Sequence, residues 1–337
     1  MNKLLIYGAP GNLGGAATKI RDLLRMLVND FEITVVLPEK SFLKCPETVG
    51  FIEGLKIPYC LRRDVPERVD GVALGICDPD IFTSGTANEI RRRGMRFVWS
   101  NEMMWEFKGE AEAVRSGVVD RALFLSEIQQ DAFRACYQGV DQVLIRNYVT
   151  PSDFPLVERT NETIVVGRLS RADPVKYPID FPVFYEELGL NPVKYKVMAW
   201  SAELAKLFFW HKFGSEWELL PERRMPAPKF LSGLDLFVYP LGHRFIESWG
   251  RSTLEAMLTG CIPLVPSGHQ FHNMMVHEES GFICKSFGDF RYYAQELFRD
   301  GRLRRRMSQR TADYARSAVC DFDAHKRAWI HALTFSA

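Results

Sequence analysis

The chain has 337 residues, enough for two domains of ordinary size. Hydrophobic residues make up 47% and charged residues 25%, a composition typical of a globular protein, which excludes a disordered, collagen-like or coiled-coil chain. Its 43 Lys and Arg against 42 Asp and Glu give a formal net charge of +1, so no overall field attracts nucleic acid, and we expect no nucleic-acid partner.

Short β-rich runs alternate with helical periodicity along the first half of the chain. The apolar start before Gly8 is too short for a signal peptide and predicts a first strand, and Ile20, Leu23, Leu24 and Leu27 then recur at helical spacing. A further helix is predicted at 127–137, and further strands at 33–37, 72–76, 97–99, 122–125 and 143–145. This alternation predicts a parallel sheet covered by helices on both faces.

The pattern breaks around residues 147–155, where turn and breaker residues replace the helical period. Beyond this linker, helices are predicted from Ala202 and Ser252, and strands at 164–166, 196–199, 234–238 and 262–265. The predicted fold class is therefore α/β, with two Rossmann-like domains facing across a cleft. We expect domains at 1–148 and 149–315, and a C-terminal helix at 316–337 that packs back on the first domain.

The glycine-rich turn from Gly8 to Gly15 lies between the first predicted strand and helix. Glycines there let backbone N–H groups approach a phosphate at a helix N-terminus. The spacing also fits the turn of NAD(P)-dependent reductases, with Glu39 as the acidic residue after the second strand. A tight turn without a ligand is the alternative. No tyrosine has a lysine four residues on, which excludes short-chain reductases but not other NAD enzymes.

Two cations follow the first strand of the second half. Arg168 comes directly after this strand, and Lys176 lies eight residues further on. At the open end of a parallel sheet, an arginine and a lysine can converge on a diphosphate. A solvated pair of loop cations is the alternative.

Two glutamates eight positions apart flank the predicted start of a helix near Arg251 or Ser252. Glu247 then lies in the preceding loop, where sugar hydroxyls need acceptors, and Glu255 lies one turn into the helix, within reach of a ribose diol. Backbone N–H groups from Gly250 onward form an anion site at the helix start, and Gly250 leaves room for the ligand. Solvated surface acids are the alternative.

These pieces occur in the order found in the retaining nucleotide-sugar glycosyltransferases of the GT-B fold, and the chain resembles glycosyltransferase family four. The resemblance spans nearly the whole chain and is dense only in the second half. The matching residues are Gly14, Gly15, Ser126, 147–149, 166–170, 234–240, 247–255, 256–265 and 280–283.

The resemblance implies transfer of a sugar from a nucleoside-diphosphate donor to a carbohydrate, lipid-linked or small-molecule acceptor, in polysaccharide or glycoconjugate biosynthesis. It implies that Arg168 and Lys176 hold the diphosphate and that Glu255 holds the ribose. Glu247 and the backbone after Trp249 would hold the donor sugar, and the implied donor contacts there are Gly250, Arg251 and Ser252. Gly14 and Gly15 would contact donor phosphates from the first domain, on the acceptor side. No metal or other cofactor is implied.

Two positions depart from the family pattern. Asn101, with Glu102 beside it, stands where many members carry a histidine near the reacting sugar, so it joins Glu247 and Arg168 as a catalytic candidate. Lys176 is followed by Tyr177 and a proline, where members usually have a Lys-Gly pair.

Other polar clusters carry weaker signals. His269, His272 and His277 lack the spacing of a zinc site, and we expect a polar loop beside the donor pocket instead. The arginines at 91–93 and 302–310 are typical of solvated faces. Attraction to anionic lipid headgroups is the alternative, which would bring the protein to the inner membrane face.

The seven cysteines have no Cys-x-x-Cys spacing, which is typical of buried thiols in a reducing compartment, so we expect a cytoplasmic protein. No apolar run approaches the roughly 20 residues of a membrane-spanning helix. Two other hypotheses stay open. One is an NAD(P)-dependent sugar-nucleotide oxidoreductase or epimerase that uses the first glycine loop, and the other is a non-catalytic sugar-nucleotide-binding protein.

Overall fold

The structure, a computed structural model, describes residues 2–11, 14–159 and 163–335. The chain divides into two compact units. The first unit runs to Tyr148 and resumes at Phe322, and the second unit is Val149–Asp321. Residues 316–321, which the sequence grouped with the C-terminal helix, belong to the second unit, because Arg316 donates hydrogen bonds to the backbone carbonyls of Leu258 and Phe154.

The first unit is an α/β layer structure. Its elements, in chain order, are β1 (Asn2–Tyr7), α1 (Gly15–Leu27), β2 (Phe31–Leu37), α2 (Pro46–Gly54), β3 (Tyr59–Leu61), β4 (Val72–Ile76), α3 (Thr86–Arg92), β5 (Arg96–Ser100), α4 (Glu110–Arg115), β6 (Arg121–Phe124), α5 (Glu127–Phe133) and β7 (Asp141–Leu144). In the described part of the chain, its seven strands form one parallel sheet in the order β3-β2-β1-β4-β5-β6-β7. The order reverses between β1 and β4, where Leu4 pairs with Ile33 on one side and Val72 on the other.

The second unit repeats this plan. Its elements are β8 (Ile164–Leu169), α6 (Phe181–Glu186), β9 (Val193–Met198), α7 (Ala202–Leu207), β10 (Trp217–Leu220), α8 (Ala227–Ser232), β11 (Leu236–Val238), α9 (Arg251–Leu258), β12 (Ile262–Pro266), β13 (Phe282–Cys284), α10 (Phe287–Arg299) and α11 (Gly301–Tyr314). Within the described ranges, its six strands are parallel in the order β10-β9-β8-β11-β12-β13. This order reverses between β8 and β11.

The strands are apolar because helices cover both faces of each sheet. All five residues of β4 are buried, as are the helix positions Ile20, Leu23, Leu24 and Leu27 that face the first sheet. Hence the periodicity of the sequence was sufficient to predict these elements. Two strands that it missed, β3 and β10, lie at sheet edges and are short. An edge strand has one neighbour and a mixed environment, so it carries little apolar signal.

The chain ends with α12 (Phe322–Leu333), which belongs to the first unit. Trp329 on this helix is buried, and the Lys19 ammonium lies 5.2 Å from the centre of its ring. Arg121 donates a 2.7 Å hydrogen bond to the carbonyl of Ala332, where unpaired carbonyls end the helix. The last helix is therefore anchored by packing and by two cations.

Two further features concern the whole chain. No disulfide joins any of the seven cysteines, and three of them are buried, namely Cys261, Cys284 and Cys320. The other four are half-buried, so the expectation of buried thiols is met only in part. Within the residues that the structure describes, no helix is long and apolar enough to cross a membrane.

Candidate functional site

The candidate site lies at the carboxyl ends of β8 and β11, where the strand order of the second sheet reverses. The loops after two strands diverge at such a reversal and leave a crevice between them, and parallel α/β sheets usually bind their ligands in this crevice. The loop after β8 carries Lys176, and the loop after β11 carries Glu247. The backbone N–H of Gly242 in the second loop donates to the carbonyl of Lys176 in the first, at 3.3 Å.

Arg168 joins the two loops from inside. It lies within β8 rather than after it, and its side chain is fully buried. One terminal nitrogen donates to the Pro240 carbonyl at 2.9 Å, and the other lies 3.3 Å from the Lys176 carbonyl. The guanidinium carbon stands 3.9 Å from the ring centre of Tyr177 and 4.6 Å from that of Tyr239. These contacts make Arg168 a positioning residue, and its contact with a diphosphate stays a prediction.

A buried ion pair forms the centre of the site. The Lys176 ammonium contacts Glu247 Oε2 at 3.0 Å, and the Tyr239 hydroxyl donates to the same oxygen at 3.1 Å. Only 9% and 11% of the lysine and glutamate side chains are exposed. Burial alone would lower the pKa of Lys176, but Tyr239 and Glu247 outweigh it and the net shift is upward. Burial, aided by Glu247, raises the pKa of Tyr239.

His269 holds the backbone of Glu247. The backbone N–H of Glu247 donates to His269 Nδ1 at 3.2 Å, so this nitrogen is an acceptor and the ring proton resides on Nε2. Burial lowers the pKa of His269, partly offset by Glu247, which favours a neutral imidazole at neutral pH. The polar loop expected around His269 thus holds the backbone of the site. In the part of the chain that the structure describes, no cluster of His, Cys, Asp or Glu is arranged to hold a metal ion.

The helix α9 begins beside this ion pair, at Arg251 as the sequence predicted. Gly250 precedes it with φ +85°, and a Cβ there would stand 2.6 Å from the ring of Phe271. Only glycine fits this backbone without strain. Trp249 is 2% exposed, and its indole N–H has no acceptor among the described residues.

The other predicted donor contacts lie on the first turns of α9. Glu255 Oε1 accepts a 2.9 Å hydrogen bond from Arg251 Nε, and both side chains are nearly buried. Ser252 between them is half-buried. The structure therefore places Lys176, Glu247, Trp249 and these α9 residues around one helix N-terminus. Whether they bind a donor stays a prediction.

Asn101 lies in the first unit, just after β5, and is 1% exposed. Its Nδ2 lies 2.8 Å from each oxygen of Glu110 and 3.1 Å from the Trp105 carbonyl, and its Oδ1 accepts from the Met103 N–H at 2.9 Å. These contacts occupy the amide and favour a structural role over the predicted catalytic one. Glu102, with φ +67°, pairs with the buried Lys19.

Glu110 lies at the centre of this cluster, and it was not predicted from the sequence. Its carboxylate is fully buried and accepts from Trp99 Nε1 at 2.8 Å, the Phe107 N–H at 2.6 Å and the Tyr137 hydroxyl, in addition to Asn101. A buried carboxylate with this many donors holds a turn in place. No sequence signal distinguishes it from a surface glutamate.

Gly14 and Gly15 lie at the start of α1 in the first unit, and both are exposed. Gly14 has φ +79°, and a Cβ there would meet nothing within 4 Å, so the backbone angle and not space favours glycine. Residues 12 and 13 of the same loop lie outside the described residues. Glu39, the acid that the dinucleotide hypothesis requires, is exposed and accepts from the Ser41 hydroxyl at 3.1 Å.

Comparison with known proteins shows the fold. No family model matches the sequence, and no curated protein matches it. Among solved structures, Anabaena HepE in complex with UDP and glucose is similar over 99% of both chains, with a TM-score of 0.76 and 15% identity. A glycosyltransferase from Rickettsia africae covers 98% of this chain and 97% of its own, with a TM-score of 0.75 and 8% identity.

A third similar structure is sucrose-phosphate synthase from Thermosynechococcus elongatus, with 98% coverage of both chains, a TM-score of 0.69 and 11% identity. These structures share two parallel sheets with alternating helices. The chain has the GT-B fold. This confirms the predicted fold class, and the GT-B comparison does not favour the NAD(P)-dependent alternative. Tyr239, which directly follows β11, was not assigned from the sequence, and His269 was expected only as part of a polar loop.

Proposed function

We propose that the protein is a nucleotide-sugar-dependent glycosyltransferase whose donor binds in the second unit. The observation that carries this proposal is the ion pair of Lys176 and Glu247 beside the N-terminus of α9, at the strand-order reversal of a GT-B sheet. The comparison structure HepE binds UDP and glucose, which supports a uridine-diphosphate sugar as the first donor to test.

In the proposed complex, the donor diphosphate lies at the start of α9. Amides of Gly250, Arg251 and Ser252 and the helix dipole stabilise its charge. Lys176, which Glu247 neutralises in the structure, gains a second anionic partner there. Arg168 holds the lysine loop by its carbonyl contacts. This arrangement explains why a fully buried arginine follows the glycine of β8.

The remaining assignments place the nucleoside and the sugar. Glu255 binds the ribose hydroxyls, and Glu247 accepts hydrogen bonds from the donor sugar. The bond between the anomeric carbon and the diphosphate breaks, its electron pair goes to the diphosphate oxygen, and preorganised cations and amides stabilise that charge. An acceptor hydroxyl forms the new bond on the same face and passes its proton to the leaving oxygen. Retention of configuration and hexosyl transfer are parts of this proposal.

The acceptor is assigned to the first unit, and it is a carbohydrate, a lipid-linked glycan or a small molecule. Four arginines on α11 are exposed, at positions 302, 305, 306 and 310. They supply the cationic face for a peripheral contact with anionic lipid at the cytoplasmic membrane surface, if the acceptor is lipid-linked. The chemistry proposed here needs no metal and no other cofactor.

Calorimetry tests the donor site directly. We expect one nucleoside diphosphate out of UDP, GDP, dTDP and ADP to bind, and NAD⁺ and NADP⁺ not to bind. Glu255→Gln should weaken that binding about tenfold, since a charge-assisted hydrogen bond contributes about 1.5–3 kcal/mol. Glu296→Gln is the matched control, because Glu296 also pairs with an arginine on its own helix but lies on α10. Binding of NAD⁺ alone, or equal effects of the two variants, would contradict the proposal.

Turnover distinguishes an enzyme from a binding protein. With the donor that binds, the intact protein should release free nucleoside diphosphate only slowly without acceptor, and faster with it. The anomeric configuration of the product, read from proton coupling constants, decides between retention and inversion. Binding without any turnover over a broad acceptor panel would support the non-catalytic hypothesis instead.

A further inference from the structure

A cavity of about 260 Å³ opens in the first unit, and none of the residues that line it belongs to the proposed donor site. Tyr7, which ends β1, forms part of its wall, and Arg62 and Arg63 follow β3 directly. Ser84 lies in the segment that follows β4. The cavity is therefore at the carboxyl ends of the strands, beside the point between β1 and β4 where the strand order reverses. This is the position where parallel α/β sheets bind ligands.

The wall of this cavity is cationic. It contains three guanidinium groups, from Arg62, Arg63 and Arg93, and one carboxylate, from Glu89. Outside the wall, Asp78 pairs with Arg62, and Asp64 lies 3.5 Å from Arg63 Nε.

Arg62 is incompletely satisfied. One terminal nitrogen bonds Asp78, while the other lies 3.4 Å from the Ser84 hydroxyl and 3.5 Å from the Thr86 hydroxyl, at the outer limit of a hydrogen bond. Its Nε is buried and has no acceptor within the described residues. The side chain of Arg63 is 65% exposed. Arg63 thus has exposed N–H donors to offer an incoming anion, and the terminal nitrogen of Arg62 can exchange its long hydroxyl contacts for one.

The Glu89 carboxylate of the wall is offset by neighbouring cations, since it lies 3.5 Å from an Arg93 terminal nitrogen and 2.6 Å from one of Arg92. Arg93 donates to the backbone carbonyls of Val65 and Pro66, which fixes the loop after β3 against α3. Burial raises the pKa of Tyr7 to about 12, although Arg93 and Arg62 oppose the shift. Tyr7 therefore keeps its phenolic proton at neutral pH and remains a neutral group.

We propose that this cavity binds an anionic group, a phosphate or a carboxylate, carried by the acceptor. The proposal rests on the proposed transferase function and adds the chemical class of its acceptor. An arginine can donate two parallel hydrogen bonds to the two oxygens of either group. The Ser84 and Thr86 hydroxyls are hydrogen-bonded to each other at 2.8 Å, so one of them can add a neutral donor. The volume lies below the roughly 300–1,000 Å³ of whole small-molecule sites, so the cavity takes the charged end of a larger acceptor.

Calorimetry on the intact protein tests the site with inorganic phosphate, a hexose 6-phosphate, a hexuronic acid and an uncharged hexose. We expect a charged probe to bind and the uncharged hexose not to bind. The tighter of the two charged sugars identifies phosphate or carboxylate as the natural group. Arg63→Gln should weaken binding at least tenfold, and Arg62→Lys, which keeps the charge beside Asp78 but removes the fork, should also weaken it.

Arg134→Gln is the matched control. Arg134 follows α5 in the first unit, is 80% exposed and pairs with Asp131, and neither residue lines the cavity. Its variant should bind the charged probe as the wild type does. The proposal is wrong if Arg63→Gln and Arg62→Lys bind as Arg134→Gln does, or if the uncharged hexose binds equally well.

Measurements on the same samples distinguish failure of the cavity proposal from failure of the proposed function. If UDP or another nucleoside diphosphate binds and turns over while no charged probe binds, the cavity proposal fails and the transferase stands. If a charged probe binds in a manner sensitive to Arg63→Gln but no nucleotide binds, the acceptor assignment fails together with the transferase. In the transfer assay, Arg63→Gln should raise KM for the anionic acceptor at least tenfold without changing nucleotide affinity.

Discussion

The ion pair of Lys176 and Glu247 leads to a prediction about stability that does not depend on any substrate. In Glu247→Gln the amide still accepts a hydrogen bond, but the buried ammonium loses its counter-charge. Breaking a buried pair by removing one partner costs about 3–5 kcal/mol. Since about a tenth of each side chain is exposed and one hydrogen bond survives, we expect a loss of about 2–3 kcal/mol.

The pH dependence follows from the same contacts. In the wild type the pKa of Lys176 is raised above its ordinary value of 10.5, so the stabilisation is present below that pH and is lost as pH rises through the raised value. In Glu247→Gln, burial dominates and the folded-state pKa falls below the ordinary value. The destabilisation of the variant by the charged Lys176 is then complete at low pH and disappears as pH approaches 10.5. The difference in stability between the variant and the wild type should therefore shrink as pH rises toward 10.5, and shrink further as pH passes through the raised pKa of Lys176 in the wild type.

Urea unfolding at pH 7, monitored by hydrogen-exchange mass spectrometry, gives separate unfolding midpoints for peptides of the second unit and of the first unit. With an m-value of about 2 kcal/mol/M, the midpoint of the second unit should fall by about 1–1.5 M. Lys176→Met in the Glu247→Gln background removes the unpaired ammonium and should recover at least half of this loss. An unchanged midpoint at pH 7, or a double variant less stable than Glu247→Gln, would refute the reasoning.

Three further outcomes can be measured by thermal denaturation and pH titration. Asn101→Asp places a second carboxylate against buried Glu110. We expect the free energy of unfolding to fall by about 3 kcal/mol, which lowers Tm by about 6–12 °C. A shift in Tm below 2 °C would contradict the structural role of Asn101. Because the folded-state pKa of His269 lies below 6.5, the wild type should lose stability as pH falls below 6.5. His269→Asn should remove this part of the pH dependence. Parallel curves of stability against pH for the wild type and the variant would contradict this prediction. Gly250→Ala adds a steric overlap with Phe271 to the strain of a positive φ, whereas Gly268→Ala adds the strain alone. Gly250→Ala should therefore lower Tm by several degrees more than Gly268→Ala. Equal shifts would show that the overlap with Phe271 relaxes freely.

Much of the fold could be predicted because burial imposes a pattern on the residues themselves. Strands covered on both faces, such as β4, read as apolar runs, and α1 carries its apolar residues at helical spacing. The start of α9 was predictable from Gly250, since a left-handed residue before a helix needs glycine. The edge strands β3 and β10 escaped detection, whereas the equally short edge strand β7 was predicted at 143–145 from its run of aliphatic residues.

The sequence alone thus determined the α/β class, most buried strands and the residue types at the helix start, because these are properties of neighbouring residues. Only the tertiary structure decided the partners of each charged group. It enclosed Arg168 between two tyrosine rings, paired Lys176 with a glutamate 71 positions away and tied Asn101 to Glu110. The pairing of Lys176 with Glu247 depends on which loops the strand order brings together, and no local pattern encodes a contact between residues so far apart in the chain.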